Sequence, residues 1–149
     1  MARIAFGADH AGVRLKGTLV DHARAKGLEV LDLGTDSTDR VDYPDYGAAV
    51  GRAVASGAAD LGVLVCGSGI GIAIAANKVS GIRAATVHDV TSARMSRAHN
   101  DANVMAVGER FIGDQVALDS FDAFVSTDFE GGRHADRVAK LNALDDPSV

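Results

Sequence analysis

The sequence predicts an α/β fold: a single three-layer domain over residues 1–149, with a five-stranded parallel sheet and helices on both faces. Three observations predict it. Short apolar runs alternate with stretches of helical period along the whole chain. One run, Leu61-Gly62-Val63-Leu64-Val65-Cys66, is apolar throughout, as a parallel strand buried on both faces must be. Glycines close the runs, at Gly7, Gly27, Gly57 and Gly67. The 149 residues suit one compact domain, and 47% hydrophobic residues suffice for its core.

Taken in order, residues 3–7 form a short apolar run and predict the first strand. Leu15, Leu19, Val20 and Ala23 then recur at helical spacing, so a helix follows and ends at Gly27. Residues 28–33 read as a second strand. Residues 34–45 are polar, contain Pro44 and predict a loop. Ala49, Val50, Ala53 and Val54 mark the next helix. The third strand, 61–66, meets a glycine-rich turn at 67–71 and then a small-residue helix at 72–76. Residues 82–87 predict a fourth strand, 91–98 a fourth helix and 103–107 a fifth strand. Ala117, Phe121, Phe124 and Val125 form a helical stripe, and a last helix is expected over 134–144, before a tail at 145–149 expected to fray. The arrangement is Rossmann-like. Ligands in such sheets lie outside the carboxyl ends of the strands, at a topological switch point. Chemistry is therefore expected in the loops 7–12, 67–71 and 88–89.

The net charge is −5 and the isoelectric point about 5.4. A basic face for nucleic acid or a membrane surface is missing, so neither partner is expected. An anionic ligand then needs a local cluster of donors. The one cysteine excludes an intrachain disulfide and suits a reducing compartment. The N-terminus reads directly into a strand, without the apolar region of a signal peptide. No apolar run reaches the ~18 residues of a membrane span. A cytoplasmic protein is expected.

The segment Cys66-Gly67-Ser68-Gly69-Ile70-Gly71 carries the most information. Alternating glycines let a backbone approach a ligand, and the helix that follows aims its free N–H groups at the loop. That suits an anion, either a phosphate or a developing enediolate oxygen. A dinucleotide loop is the competing reading, but it needs G-x-G-x-x-G, and Ile72 stands where its last glycine belongs. A tight turn without a ligand is the plainer one. A lone cysteine is usually inert core filling. Cys66 differs because it ends a strand and faces a helix N-terminus, which favours the thiolate, a soft base able to take a proton from carbon beside a carbonyl.

Asp9-His10, after the first strand, is either a helix cap with a surface histidine or part of the same site. His99-Asn100-Asp101, before the fifth strand, is either a structural turn or a proton-moving histidine with a polar neighbour. Arg133 and Arg137 share a helix face and make a phosphate clamp or a solvated basic face; Arg110 and His134 are further donors. The five histidines show no H-x-x-x-H or H-E-x-x-H spacing, so no metal site is expected. Ser68 lacks a G-x-S-x-G context, so a serine triad is unsupported.

Seven segments together resemble type B ribose-5-phosphate isomerase, of the family that includes the galactose-6-phosphate isomerase subunits. They are Ile4-Ala5-Phe6-Gly7-Ala8-Asp9-His10-Ala11-Gly12, Asp42-Tyr43-Pro44-Asp45-Tyr46, the Cys66 to Gly71 loop, Ala75-Ala76-Asn77-Lys78, Gly81-Ile82-Arg83-Ala84, His99-Asn100-Asp101-Ala102-Asn103 and Glu130-Gly131-Gly132-Arg133-His134. They follow one another across nearly the whole chain. The resemblance implies an aldose–ketose isomerase of phosphorylated sugars, with ribose and ribulose 5-phosphate as the first expected pair. Erythrulose, allose or galactose phosphates are the alternatives, and a non-catalytic binder of a nucleotide or sugar phosphate is the rival class. It further implies that Cys66 shuttles the proton and that Gly67, Ser68, Gly69, Ile70 and Gly71 hold the enediolate. His99 would open the sugar ring. Asp9, His10 and Asn100 would contact substrate, and Arg110, Arg133 and Arg137 would surround the phosphate and sugar. No cofactor is implied. A homodimer or homotetramer with shared sites is. Some members have threonine at Ser68, and a subgroup without the cysteine uses a glutamate just after the loop. Here that position is Ile72, which places this chain with the cysteine subgroup.

Overall fold

A computed structural model describes residues 2–148; Met1 and Val149 lie outside the described residues. The chain runs β1 (Arg3–Ala8), α1 (Val13–Ala25), β2 (Glu29–Asp32), α2 (Tyr43–Ala55), β3 (Leu61–Cys66), α3 (Ile70–Asn77), β4 (Ala84–Thr86), α4 (Val90–Asn100), β5 (Val104–Gly108), α5 (Asp114–Ser126) and α6 (Arg133–Ala143). The five strands form one sheet in the order β2-β1-β3-β5-β4, parallel at every pairing. β1 connects to β2 on one side of the sheet and β3 connects to β4 on the other, so the switch point lies between β1 and β3. The α/β reading holds, with helices on both faces.

Strand alternation divides the core in two. Ile4, Phe6, Val63, Val65, Met105 and Val107 face Leu15, Leu19, Phe121 and Phe124 of α1 and α5. Ala5, Leu64, Cys66, Val104 and Ala106 face Val50, Ile72, Ala73 and Ala76 of α2 and α3. The Cys66 side chain therefore points to the α2–α3 side. Those two helices pack closely because α2 carries glycine at the contact. A Cβ on Gly47 would stand 2.7 Å from the Ile72 carbonyl oxygen and 2.8 Å from the Ala75 Cβ.

Several element bounds differ from the sequence reading. The loop expected over 34–45 ends earlier, because Pro44 opens α2 instead of interrupting a loop; its fixed φ and missing N–H suit a first helical turn. α3 starts at Ile70, not Ile72, since Gly69 at φ +75 supplies the left-handed turn that begins it. β4 is three residues, shorter than the run 82–87: just before it the Arg83 N–H goes to the Asn103 carboxamide at 2.8 Å, and at its first residue the Asn77 carboxamide donates to the Ala84 carbonyl at 3.0 Å and accepts the Ala84 N–H at 2.7 Å. His99 and Asn100 form the last turn of α4, and Asp101 at φ 47 ends it. The tail is anchored at Asp145, whose carboxylate accepts the Gly81 N–H at 2.7 Å. Among the described residues, no helix is long and apolar enough to cross a membrane.

Gly47→Ala is expected to destabilise the protein by about 1–3 kcal/mol, the usual cost of overpacking. On an open helix face the same change stabilises by up to ~1 kcal/mol. Denaturant unfolding of the variant decides the sign.

Candidate active site

The β3–α3 junction is built from backbone. The Cys66 and Gly67 carbonyls accept the N–H groups of Glu109 (2.9 Å) and Arg110 (3.1 Å) from the end of β5. Those carbonyls are thereby held away from the loop mouth. Among the described residues the N–H groups of Gly67, Ser68 and Gly71 have no protein acceptor. They lie at a strand end and a helix start, where oriented donors stabilise negative charge. The Gly69 N–H donates to Cys66 Sγ at 3.1 Å, and Cys66 is 5% exposed. Gly69 itself lies behind the loop, where a Cβ would meet the Val107 carbonyl carbon at 2.7 Å.

In front of the loop is a pocket of about 460 Å³ lined by Asp9, His10, Ala11, Tyr43, Cys66, Gly67, Ser68, Ile70, Gly71, Arg110 and Phe111. It sits at the switch point, between the ends of β1 and β3. Arg110 lies over Gly67, its Nη1 3.3 Å from where a Cβ would be. Asp9 is buried, and its Oδ1 accepts the Ala11 N–H at 2.9 Å. His10 Nδ1 accepts the Val41 N–H at 3.2 Å. The pocket thus gathers a thiol, a carboxyl group, an imidazole, a guanidinium and free backbone donors. Sequence reasoning missed its rim residues Tyr43 and Phe111. Tyr43 packs on Gly71, where a Cβ would fall 2.6 Å from the ring. The signal was present in Tyr43-Pro44, read as loop instead of helix start.

The remaining predicted residues lie elsewhere in the chain. His99 lines a second depression with Arg94, Met95, Thr127, Asp128 and Glu130. Asn100 faces a third cavity beside Asn77, Arg83 and Asn142. Arg133 and Arg137 are exposed on α6 and line none of these. The α4 end that carries His99 and Asn100 is rigidly mounted. Arg97 bonds Asp101 Oδ1 (3.1 Å) and the Ala102 carbonyl (2.6 Å), and Arg83 Nε bonds the Asp101 carbonyl (2.9 Å), which fixes the end of α4.

His99 and His134 stack with ring centroids 4.3 Å apart and planes 11° from parallel, and His99 Nε2 is 3.6 Å from Glu130 Oε1. Ligand atoms of His99, Glu130 and His134 lie within 4.8 Å of one another. Sequence spacing did not reveal this grouping, because the fold brings the start of α6 against the end of α4. Parallel rings send their in-plane lone pairs side by side instead of toward one point, so the cluster suits a stacked pair beside a carboxylate better than a tetrahedral metal site.

Fold and pocket together define an α/β protein with a candidate acid–base site at the switch point of its sheet, and the comparisons make it an isomerase. The chain belongs to the Ribose/Galactose Isomerase family, whose model matches residues 4–141. It is 48% identical over 145 residues to ribose-5-phosphate isomerase B of Escherichia coli, covering 97% of each chain. It is 44% identical over 142 residues to D-erythrulose-4-phosphate isomerase of Pectobacterium atrosepticum, covering 95% of this chain and 93% of that one. The Clostridium thermocellum ribose-5-phosphate isomerase B structure superposes with a TM-score of 0.95 at 50% identity, covering 96% of this chain and 97% of that one.

Burial, the adjacent His99 and the Arg133 guanidinium hold the His134 imidazole below its ordinary value of 6.5. The folded state then favours neutral His134. Its contribution to stability is present above 6.5 and is lost as the pH falls through the depressed folded value. Ring titration by NMR is expected to place the His134 midpoint below 6.5; a midpoint at or above that value refutes the reading.

Proposed function

We propose that this chain interconverts ribose 5-phosphate and ribulose 5-phosphate by proton transfer through an enediolate. Cys66 carries the proposal: a thiol at the end of the central strand, facing a pocket, with a backbone N–H on its sulfur and three unpartnered N–H groups beside it. Ile72 is fully buried and apolar, so the position after the loop offers no carboxylate base.

In this reading the Cys66 thiolate removes the proton from the carbon next to the carbonyl. The C–H electron pair becomes the C=C bond of the enediol, and the carbonyl oxygen becomes an oxyanion held by the loop N–H groups, each donor of this kind being worth ~2.7–4 kcal/mol. As Cys66 returns its proton to the former carbonyl carbon, the neighbouring hydroxyl passes its proton to the oxyanion and its oxygen becomes the new carbonyl. His99 opens the sugar ring by moving a proton between ring oxygen and hydroxyl. Asp9, His10, Ser68 and Asn100 hold the sugar, and Arg110, Arg133 and Arg137 the phosphate, whose binding energy keeps the reacting carbons in register. The scheme calls on no cofactor.

His99, Asn100, Arg133 and Arg137 reach the pocket only if a second copy supplies them. The pocket rim and the adjoining turn of α3 favour such a partner: Tyr43, Ile70 and Phe111 at the rim and Ile74 beside it are 43%, 50%, 58% and 55% exposed, and residues 70–76 are apolar on every side. The working unit in this proposal is a homodimer, or a homotetramer built from two such dimers, in a reducing cytoplasm that keeps the thiol free. The Pectobacterium relative is named for a four-carbon substrate, which favours a second reading with a shorter sugar phosphate. Turnover of ribose 5-phosphate beside erythrulose, allose and galactose phosphates separates the two.

Cys66→Ala is expected to lower turnover roughly 10²–10⁴-fold, the range for a lost general base, without unfolding the protein. In deuterated water the wild type should place deuterium at C1 or C2 of the sugar. Binding without exchange would mark a non-catalytic binder. For shared sites, mixing the inactive Cys66→Ala and His99→Ala proteins should restore about a quarter of wild-type activity, since half the dimers become mixed and each has one intact site. No recovery after subunit exchange would place both residues in one chain's site.

A further inference from the structure

Lys16, on α1, lines no part of the Cys66 pocket, and its side chain is only 3% exposed. Its ammonium bonds Asp32 Oδ1 at 2.6 Å and Asp36 Oδ1 at 3.1 Å. Asp32 ends β2, and the same oxygen accepts the Gly34 N–H at 3.0 Å. Asp36 belongs to the loop between β2 and α2, and its side chain is 83% exposed. A buried cation is thus reached from solvent by a loop carboxylate.

That loop has little else to hold it. At its head, main-chain bonds join Ala8 to Gly34 (2.8 Å) and Thr35 (2.9 Å). From 36 to 41 the main chain makes no hydrogen bond to the main chain of the other described residues. Two side-chain contacts tie the segment to the body of the protein: Lys16 to Asp36 at one end and the Val41 N–H to His10 at the other. The second contact has a chemical consequence. An N–H donates only to a ring nitrogen that carries no proton, so His10 Nδ1 is the acceptor and the ring proton sits on Nε2. His10 then offers the pocket a donor.

We propose that Lys16 is a positioning residue for His10. By clamping Asp36 it holds residues 36–41 in place, and through Val41 it fixes His10 as an Nε2–H donor to an oxygen of the bound sugar phosphate. The proposal rests on the isomerase reading of the pocket and assigns part of its substrate recognition. Ion pairs taken out of water add little net stability, and their best-attested use is to specify an arrangement.

The test compares wild type with Lys16→Met, which keeps the apolar stem, Lys16→Arg, which keeps the charge, and Asp36→Asn, an exposed change that spares the core. Two quantities are read: the ring ¹⁵N shifts of His10 without ligand, and KM and kcat for ribose 5-phosphate. The wild type should show a bare Nδ1 and a protonated Nε2. Lys16→Met and Asp36→Asn should show averaged tautomers and a KM raised roughly tenfold with kcat little changed, the signature of lost binding. Lys16→Arg should return both toward wild type. A His10 proton on Nδ1 in the wild type overturns the proposal. So does Asp36→Asn with an unchanged tautomer and KM, whatever happens to its melting temperature. If Lys16→Met does not fold, Asp36→Asn decides. A wild type that binds but does not turn over ribose 5-phosphate overturns the substrate reading alone, and the tautomer still decides the clamp.

Discussion

The crossing of the 66–71 loop over the end of β5 is the constraint on which the rest depends. Two glycines meet there. A Cβ on Gly69 would stand 2.7 Å from the Val107 carbonyl carbon, and one on Gly108 would stand 2.6 Å from the Ser68 carbonyl carbon. Both approaches are against backbone, so no side chain is available to yield. This closeness lets the Glu109 and Arg110 N–H groups reach the Cys66 and Gly67 carbonyls, and it lays the Arg110 guanidinium over Gly67. Glu109 also accepts the Leu15 N–H at 2.8 Å, which ties the start of α1 to the same place. One crossing therefore sets the loop donors, the pocket cation and the helix behind His10. It exists because β5, not β4, lies beside β3 in the sheet.

The second constraint belongs to the proposed reaction, which draws on side chains that one chain carries in two places. The pocket holds Asp9, His10, Cys66 and Arg110, while His99, Arg133 and Arg137 stand at the end of α4 and on α6. Full burial of a large apolar side chain stabilises by ~1.5–3 kcal/mol, so covering the half-exposed Tyr43, Ile70, Ile74 and Phe111 at and beside the rim supplies roughly 3–6 kcal/mol. Association costs an estimated 4–15 kcal/mol in lost freedom. The rim alone does not hold a dimer together. A wider interface has to contribute, which fits a proposed contact running from α3 to the ends of α4 and α6.

The layered fold was legible because it rests on local regularities. Buried parallel strands are apolar runs, and α1 and α5 show helical stripes that a single window reveals. Bounds failed where tertiary contacts overrode local signals. Pro44 read as part of a loop until it proved to open α2, and the run 82–87 shortened where the Arg83 N–H goes to the Asn103 side chain. The candidate site was legible as residue types at strand ends. The separation of His99, Arg133 and Arg137 from the Cys66 pocket was not, since nothing in their spacing says where the ends of α4 and α6 lie relative to it. The His99–His134 stack was equally hidden, because stacking depends on where α6 lands against α4.

Main-chain N–H groups hold the thiol, the carboxyl group and the imidazole of the pocket. Gly69 bonds Cys66, Ala11 bonds Asp9 and Val41 bonds His10. Backbone donors keep their places as long as the fold does, whatever side chains surround them. The groups proposed to move the proton are thus insulated from substitution at the rim, where Tyr43, Ile70 and Phe111 project. Such a division lets one scaffold accept sugars of different length without rebuilding its chemistry. The family fits that logic: relatives named for five-carbon and four-carbon sugar phosphates stand at 48% and 44% identity to this one chain. On this view the sugar is chosen at the rim and by the opposing copy, and the Cys66 loop is indifferent to its length.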